Sequence, residues 1–373
     1  MDLRAHTLLL TVAGSRAHGV HTPTSDIDLR GCAFPTRAQL LGFRGRFQQA
    51  DGPGDMDAFA GDLTPDERGV AASTKLEGTV YSLQKFAKLS ADANPNLLEV
   101  LFCRDAEVRH ITPAGERLRG ARDAFLSQRA LHRFTGYAHR QLHRIRGHRA
   151  WLLDPPKAPP TRAAFDLPER TLLPKDQLAA AEAEVQRQLD RWNPDWGDLR
   201  ASEVERLTAA WTETWSEVRA AGETRWHRAA RAIGLDDNLM AVMDRERRYR
   251  SAQKHWEQYR HWKAHRNPAR AALEAAHGYD TKHGMHLVRL LRMGREILAT
   301  GQVRVWRGGI DQDELQAIRA GAWPYEQLVE WADREAAALR ALVKQEQTVL
   351  PAHPDLDALD GLVVELTAGW VAG

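Results

Sequence analysis

The spacing of apolar residues changes near residue 115, and this change constrains the fold more than any other feature of the chain. Before it, short apolar runs at residues 7–13, 27–34 and 76–83 are separated by Gly, Pro, Asp and Ser, which is the pattern of short strands. After it, apolar residues recur at helical spacing. A chain of 373 residues also exceeds what one core comfortably holds. We therefore expect an α+β protein, with a small α/β domain over residues 1–110 and a larger, mostly helical domain over residues 111–373.

Composition narrows the class of protein only moderately. The 52 Lys and Arg residues nearly balance the 50 Asp and Glu residues, so net charge alone indicates no partner. Cys32 and Cys103 lie in apolar stretches without the spacing of a metal site, which predicts two buried thiols and a reducing, cytoplasmic location. Since no stretch approaches the roughly 20 apolar residues of a membrane span, we expect no membrane partner.

Two carboxylates near the N-terminus are the first candidates for chemistry. Asp26-Ile27-Asp28 opens the second strand, where alternate side chains point to the same face. Asp26 and Asp28 are therefore expected to project together, while Ile27 faces the core. Two neighbouring carboxylates repel each other unless a cation lies between them, and hard oxygen ligands suit Mg²⁺ or Mn²⁺. We predict that Asp26 and Asp28 are metal ligands and catalytic residues.

A Gly-Ser turn after the first strand provides the complementary part. Gly14 lets the backbone approach a ligand closely, and amide groups at such a turn favour an anionic phosphate. Ser15 adds a hydroxyl, and Arg16 and Ser25 complete the predicted nucleotide-binding set. A phosphate cradle beside a carboxylate pair is the apparatus of metal-assisted nucleotidyl transfer from a nucleoside triphosphate.

A third carboxylate usually completes such a site. Glu77, at the start of the third strand, is the preferred candidate for catalysis and metal binding. There it would accept the proton of the attacking hydroxyl or orient the catalytic metal. Asp57 and Asp66 are weaker candidates, because the Gly-, Asp- and Pro-rich segment 42–73 is expected to form a mobile loop.

The motifs resemble a known family. Residues 14–19 (Gly-Ser-Arg-Ala-His-Gly) with residues 25–31 (Ser-Asp-Ile-Asp-Leu-Arg-Gly) resemble the polymerase-β nucleotidyltransferase signature. Residues 81–86 and 94–99 are similar to its RNA-ligase-associated branch, RlaP. Further similar runs lie at residues 262–263, 266–270, 279–291 and 318–321. The resemblance covers residues 10–105 and about 255–340, which leaves residues 151–250 as a candidate insertion.

The resemblance implies a nucleotidyltransferase fold with a mixed sheet and a role in RNA repair or RNA-end modification. On the family pattern Asp26, Asp28 and the carboxylate four residues before Tyr81 hold metal. That last position is more usually Asp, whereas this chain has Glu77. The resemblance also implies that Lys282 reaches the triphosphate.

A basic helix is the candidate RNA-binding surface. Between Arg129 and Arg149 the sequence has six arginines, four histidines and no acidic residue. Arg133, Tyr137, Arg140 and Arg144 share one helical face, and a basic stripe with an aromatic side chain suits a phosphate backbone and a stacked base. Three alternatives remain open: a solvated face, arginines paired with acidic side chains of later helices, and arginines that serve the triphosphate.

The leading prediction is transfer of a nucleoside monophosphate from a nucleoside triphosphate to a hydroxyl, most readily an RNA or tRNA end. One alternative is adenylylation of a protein or of a small molecule such as an aminoglycoside. The other is a nucleotide- or RNA-binding regulator that has lost turnover, which the unusual Glu77 keeps open. Five tryptophans are predicted to pack between helices rather than to stack on bases: Trp192, Trp196, Trp211, Trp215 and Trp226.

Overall fold

The computed structural model describes the whole chain except Thr24, Arg44, Pro53, Lys75, Leu172, residues 193–223 and Gly373. It forms two compact units, Met1–Leu153 with Asn267–Gly373, and Asp154–Arg266. The predicted boundary at residue 110 lies inside the first unit, and the candidate insertion overlaps the second. The separate catalytic domain over residues 1–110 stays a prediction.

A mixed sheet of five strands lies in the first unit, in the order β3-β4-β2-β1-β5. Strand β2 runs parallel to β4, whereas β1 is antiparallel to β2 and β5, and β3 is antiparallel to β4. The strands are β1 (Thr7–Val12), β2 (Ile27–Ala33), β3 (Gln49–Ala50), β4 (Leu76–Ser82) and β5 (Val108–Ile111). The expected mixed sheet and α+β class are therefore confirmed. Strands β3 and β5 escaped sequence analysis because they are short and only half-buried.

Helices make up most of the remaining described residues. They are α1 (Leu3–His6), α2 (Gly14–Ala17), α3 (Arg37–Leu41), α4 (Pro65–Ala71), α5 (Leu83–Ala91), α6 (Pro95–Phe102), α7 (Pro113–Gly120), α8 (Arg129–Leu153), α9 (Lys175–Arg191), α10 (Arg225–Ala232), α11 (Asp237–Ala264), α12 (Pro268–His277), α13 (Thr281–Thr300), α14 (Gln312–Arg319), α15 (Tyr325–Lys344) and α16 (Leu356–Ala372). Four short 3₁₀ helices occupy Asp55–Asp62, Asp105–Glu107, Arg122–Phe125 and Ala163–Phe165. None of the described helices is both long and apolar enough to cross a membrane.

The sheet separates two apolar clusters. Every residue of β1 is buried, because successive side chains point to opposite faces and both faces are covered. Leu9 packs into the larger cluster with helices such as α6, α8 and α13. Leu10 packs into the smaller cluster with Ile27 and Phe59. The continuous apolar run in the sequence is thus the signature of a strand covered on both sides. Cys32 and Cys103 are both buried free thiols, as predicted.

The predicted loop at residues 42–73 is wrong over most of its length. The segment contains β3, the 3₁₀ helix Asp55–Asp62 and α4. Met56 and Phe59 are buried against the sheet, and a capping box between Thr64 and Glu67 begins α4. Few apolar residues anchor the segment, so the Gly and Pro content concealed its structure.

The second unit has its own small core of Val185, Ala229, Ala230 and Met240. Trp192 and Trp226 pack against it, as the packing prediction requires. The other tryptophans of that prediction, Trp196, Trp211 and Trp215, lie outside the described residues.

Candidate active site

The parallel pairing of β2 and β4 brings two of the predicted carboxylates face to face. In its register Asp28 is the partner of Glu77. Ile27 is fully buried, as the alternation of the strand predicted, and Asp28 is half-buried on the opposite face. Asp26 is exposed and lies one residue before β2 begins. All three carboxylates therefore lie at the end where these two parallel strands begin.

Gly14 lies directly against Asp28. Its φ of +61° is in the region that favours glycine, and a Cβ atom there would lie 2.3 Å from Asp28 Oδ2. The Ala13 amide donates a hydrogen bond of 2.8 Å to the Asp28 carbonyl. The turn therefore lies beside the Asp28 carboxylate, while the approach of Gly14 to a ligand stays a prediction.

The surroundings of Asp28 disfavour its charged form. Burial raises the pKa of Asp28, and the charges of Asp26 and Glu77 raise it further, while Arg30 and Lys282 act in the opposite direction. A carboxylate in this situation gains from a nearby cation, since the cation offsets both the lost hydration and the repulsion.

The loop after Gly14 is held by its own hydrogen bonds. Ser25 Oγ accepts from the Thr22 amide at 2.9 Å, so this hydroxyl already has a structural role. Arg16 Nη2 donates to the Ser25 carbonyl at 3.0 Å, while its buried Nε makes no hydrogen bond among the described residues. Ser15 is half-buried, and its carbonyl accepts from the Val20 amide at 2.9 Å.

The start of α13 brings Lys282 to the carboxylates. Burial lowers the pKa of Lys282, and the neighbouring Arg270 and Arg319 lower it further, whereas Asp28 and Asp26 raise it. The ammonium is thus within electrostatic range of both aspartates, although it lies more than 250 residues away in the sequence. Arg270 and Arg319 lie in runs that resemble the family, but no local pattern indicated a role for either residue.

Glu77 is exposed at the edge of the site. The weaker candidates are also exposed: Asp57 lies in the first turn of the 3₁₀ helix Asp55–Asp62, and Asp66 lies in the first turn of α4. Neighbouring Glu67 is instead buried and forms an ion pair with Arg109. Of Glu77, Asp57 and Asp66, only Glu77 is paired with Asp28 in the register of the sheet.

A different group of side chains has the spacing of a metal site. Among the described residues, the ligand atoms of His148, Asp280 and His283 lie within 4.8 Å of one another. Arg270 Nη2, however, donates to Asp280 Oδ2 and lies 3.0 Å from His283 Nε2. Burial lowers the pKa of His283 to about 4, which leaves a neutral imidazole able to accept this bond. The guanidinium of Arg270 therefore takes the cation's place, and the group is a hydrogen-bonded cluster at the start of α13.

The basic face of α8 is partly engaged inside the protein. Arg133 Nη2 forms a 2.9 Å ion pair with Asp92, and the Tyr137 hydroxyl donates to Asn94 Oδ1 at 3.1 Å. The Arg140 guanidinium lies 4.0 Å from the centre of the Tyr137 ring. Arg140 and Arg144 are exposed. An acidic partner is therefore present at Arg133, although it comes from the end of α5 and not from a later helix.

A buried ion cluster holds the loop that follows Gly14. Glu99 Oε1 lies 2.8 Å from Arg289 Nη1 and 3.2 Å from His18 Nε2. Burial alone would raise the pKa of Glu99, but the charges of His18 and Arg289 outweigh it and hold this pKa well below its ordinary value. His18, Glu99 and Arg289 each lie in a run that resembles the family, but no pattern within those runs indicated that the three side chains meet.

Residues 2–151 match the family model of RlaP, the RNA repair pathway DNA polymerase beta family. The matched part contains the entire sheet, the Gly14 turn and the opposed carboxylates, and the match supports a nucleotidyltransferase of the polymerase-β class. More narrowly, residues 2–151 are similar to the RlaP family of RNA repair. The similar runs after residue 255 lie beyond the match and stay a prediction. Comparison with curated proteins and with solved structures gives no match.

Proposed function

We propose that this protein transfers a nucleoside monophosphate from a nucleoside triphosphate to a hydroxyl at an RNA end, with Mg²⁺ or Mn²⁺ as cofactor. One observation carries the proposal: the register of β2 and β4 opposes Asp28 to Glu77 directly beside the Gly14 turn. Carboxylates next to a turn suited to phosphate are what nucleotidyl transfer requires.

The residues fit a hard divalent cation. The donors are carboxylate oxygens, and burial together with neighbouring charges makes ionised Asp28 unfavourable without a counter-charge. Asp26 and Asp28 would hold the metal, with Glu77 opposite Asp28. When bound, the metal would neutralise charge on the phosphates and on the acceptor oxygen.

The remaining roles follow from position. Glu77 accepts the proton of the attacking hydroxyl or orients the acceptor. The Gly14 turn, Ser15 and Arg16 bind the departing phosphates, and Lys282 also contacts the triphosphate. Ser25 shapes the loop that carries Arg16, through the contacts of its hydroxyl and its carbonyl.

The RNA acceptor is supported by the family and by the exposed guanidinium groups of Arg140 and Arg144 on α8. A small-molecule or protein acceptor is favoured by a different observation, since Arg133 and Tyr137 of the same face are engaged by Asp92 and Asn94.

The test is transfer of label. Purified protein is incubated with each labelled nucleoside triphosphate, Mg²⁺ or Mn²⁺, and total RNA, and labelled products are separated. Wild type should label RNA, and Asp26→Asn or Asp28→Asn should abolish labelling while the circular dichroism spectrum is unchanged. Asp357→Asn, an exposed aspartate in the first turn of α16, is the matched control and should keep full activity.

Near-wild-type turnover in either aspartate variant would refute the site. Label on protein or on a small acceptor, with none on RNA, would select the alternative acceptor. No transfer under any condition would favour the nucleotide- or RNA-binding regulator.

A further inference from the structure

Three cations of the C-terminal part of the first unit crowd together beside the carboxylates. Burial lowers the pKa of Arg319, and the charge of Arg270 lowers it further. Arg270 and Arg319 also lower the pKa of Lys282. Repulsion among half-buried cations has an energetic cost. Such an arrangement is stabilised when an anion binds among them.

The nearby carboxylates do not neutralise the positive charge of all three cations. Arg270 pairs with Asp280 and with buried Glu274, and Lys282 is attracted to Asp28 and Asp26. Arg319 forms no ion pair with any described residue. Its Nη1 instead donates to the neutral carbonyl of Val20 at 2.7 Å.

Hydrogen bonds place Arg319 between the Gly14 turn and the start of α13. Val20, whose carbonyl Arg319 binds, donates its amide to the Ser15 carbonyl at 2.9 Å. On the other side, Thr281 Oγ1 donates to the Arg319 carbonyl at 2.7 Å, and Thr281 precedes Lys282. Arg319 therefore lies between the two elements that already carry candidate phosphate ligands.

Arg16 follows Ser15 in the Gly14 turn. It makes no ion pair among the described residues, and its Nη2 donates to the carbonyl of Ser25. His21 is within electrostatic range of both arginines: partial burial lowers the pKa of His21, and the charges of Arg16 and Arg319 lower it further. Arg16, Lys282, Arg270 and Arg319 thus form one cationic group, which we call the cationic arc.

A triphosphate is the anion that fits the cationic arc. The planar guanidinium group matches two phosphate oxygens at once, and several cations in one place suit a ligand with several negative charges. The reacting phosphate has to lie near the carboxylates, so the terminal phosphates extend toward the arc.

We propose that Arg319, with Arg270 and Lys282 beside it, binds the terminal phosphates of the nucleoside triphosphate. The segment after residue 267 thereby completes a leaving-group site that the sheet and the Gly14 turn only begin. This inference rests on the proposed function for the identity of the nucleotide, but the phosphate site can be tested without turnover.

The experiment measures equilibrium binding of ATP, AMP and inorganic tripolyphosphate to the full chain by calorimetry with Mg²⁺. Wild type should bind ATP more tightly than AMP. Arg319→Gln should weaken ATP and tripolyphosphate roughly ten- to a hundredfold, as for loss of a hydrogen bond to a charged group, with AMP affinity within about twofold. Arg334→Gln, an exposed arginine paired with Glu330 on α15, is the matched control.

Arg319→Lys separates phosphate binding from support of the Val20 carbonyl, because it keeps the charge but loses the planar fork. It should restore part of the ATP affinity. Unchanged ATP binding in Arg319→Gln would overturn the inference. Equal weakening of ATP and AMP in both Arg319 variants would also overturn it, since the residue would then only shape the loop. Tripolyphosphate binding that depends on Arg319, in a protein that transfers no nucleotide, would keep the site and refute the reaction.

Discussion

At the scale of single residues, Glu77 is the position where this chain departs from the pattern that its family resemblance implies. The side chain is exposed and faces Asp28 across the parallel pair. Glutamate is one methylene longer than the more usual aspartate, so its carboxylate can still reach a metal beside Asp28. The register therefore supports Glu77 over the exposed aspartates of segment 55–71.

We expect Glu77→Gln to keep the shape of the side chain but to lose its charge. Transfer should slow by roughly a hundredfold or more, as for loss of a catalytic base, while ATP binding stays nearly normal. Single-turnover kinetics and calorimetry measure the two effects separately. Glu77→Asp is the control, because it keeps the charge on a shorter side chain and should retain more of the rate than Glu77→Gln.

A mild effect of Glu77→Gln, together with a severe effect of Asp57→Asn or Asp66→Asn, would assign the third carboxylate to segment 55–71. A mild effect at all three positions would mean that Asp26 and Asp28 are the only carboxylates that transfer requires.

At the scale of elements, α8 has two different faces. Phe134, Ala138 and Ile145 are buried in the larger cluster, where α8 packs along α13. The opposite face carries Arg140 and Arg144 into solvent. Near its beginning the same helix holds the end of α5, since Asp92 pairs with both Arg129 and Arg133. The helix is therefore a structural support with an exposed basic surface.

We expect the double change Arg140→Gln and Arg144→Gln to weaken RNA binding and to flatten its dependence on salt. If each guanidinium neutralises one phosphate, the slope of log K against log salt should fall by about 1.5. ATP affinity should stay within about twofold. Salt titration of RNA binding by the wild type and the variant measures the difference.

Arg133→Gln is the matched control for that experiment, because the Arg133 guanidinium already pairs with Asp92. It should leave the slope unchanged. Equal slopes for the wild type and the double variant would show that this face does not bind RNA. A small-molecule or protein acceptor would then be the better interpretation.

At the scale of the whole first unit, the C-terminal helices hold the N-terminal site. Arg289 of α13 joins Glu99 and His18 in the buried ion cluster. The amide of fully buried Arg307 donates to the His18 carbonyl at 3.1 Å, and its guanidinium pairs with Glu296 and Asp311. The loop that begins at Gly14 is therefore held by residues that follow it by nearly 300 positions.

We expect Glu99→Gln to lower the free energy of unfolding by roughly 3 kcal/mol or more, because it leaves buried Arg289 without a counter-charge. The pKa of Glu99 is held below its ordinary value. The stability from its ionisation is therefore present above the unfolded pKa of about 4.3 and is lost as the pH falls below it. Urea unfolding of wild type and variant between pH 3 and pH 7 measures both effects.

The difference between the two proteins should shrink toward the acid end of that range. Glu365→Gln is the control, since exposed Glu365 pairs with exposed Arg117 and should contribute at most about 1 kcal/mol. A loss at Glu99→Gln no larger than that of the control, at every pH, would show that the buried cluster contributes nothing to stability.

The sequence by itself determined the features that depend on neighbours in the chain. Strand alternation predicted that Ile27 is buried and that Asp28 lies on the opposite face, because the period of a strand is local. Gly14 marked the end of the first strand, and helical spacing predicted α8. The mixed sheet followed from family resemblance and could not be read from periodicity, because strand order depends on pairing.

Only the tertiary structure decided which distant side chains meet. Arg319 binds the carbonyl of Val20 across 299 residues, and Arg289 pairs with Glu99 across 190. Asp92 likewise pairs with Arg133, which no pattern inside α8 could reveal. A local sequence pattern specifies the periodicity of an element and the chemistry of its ends. The partners of a buried charge are decided by how the elements pack, because burial makes an unpaired charge costly wherever its partner lies in the chain.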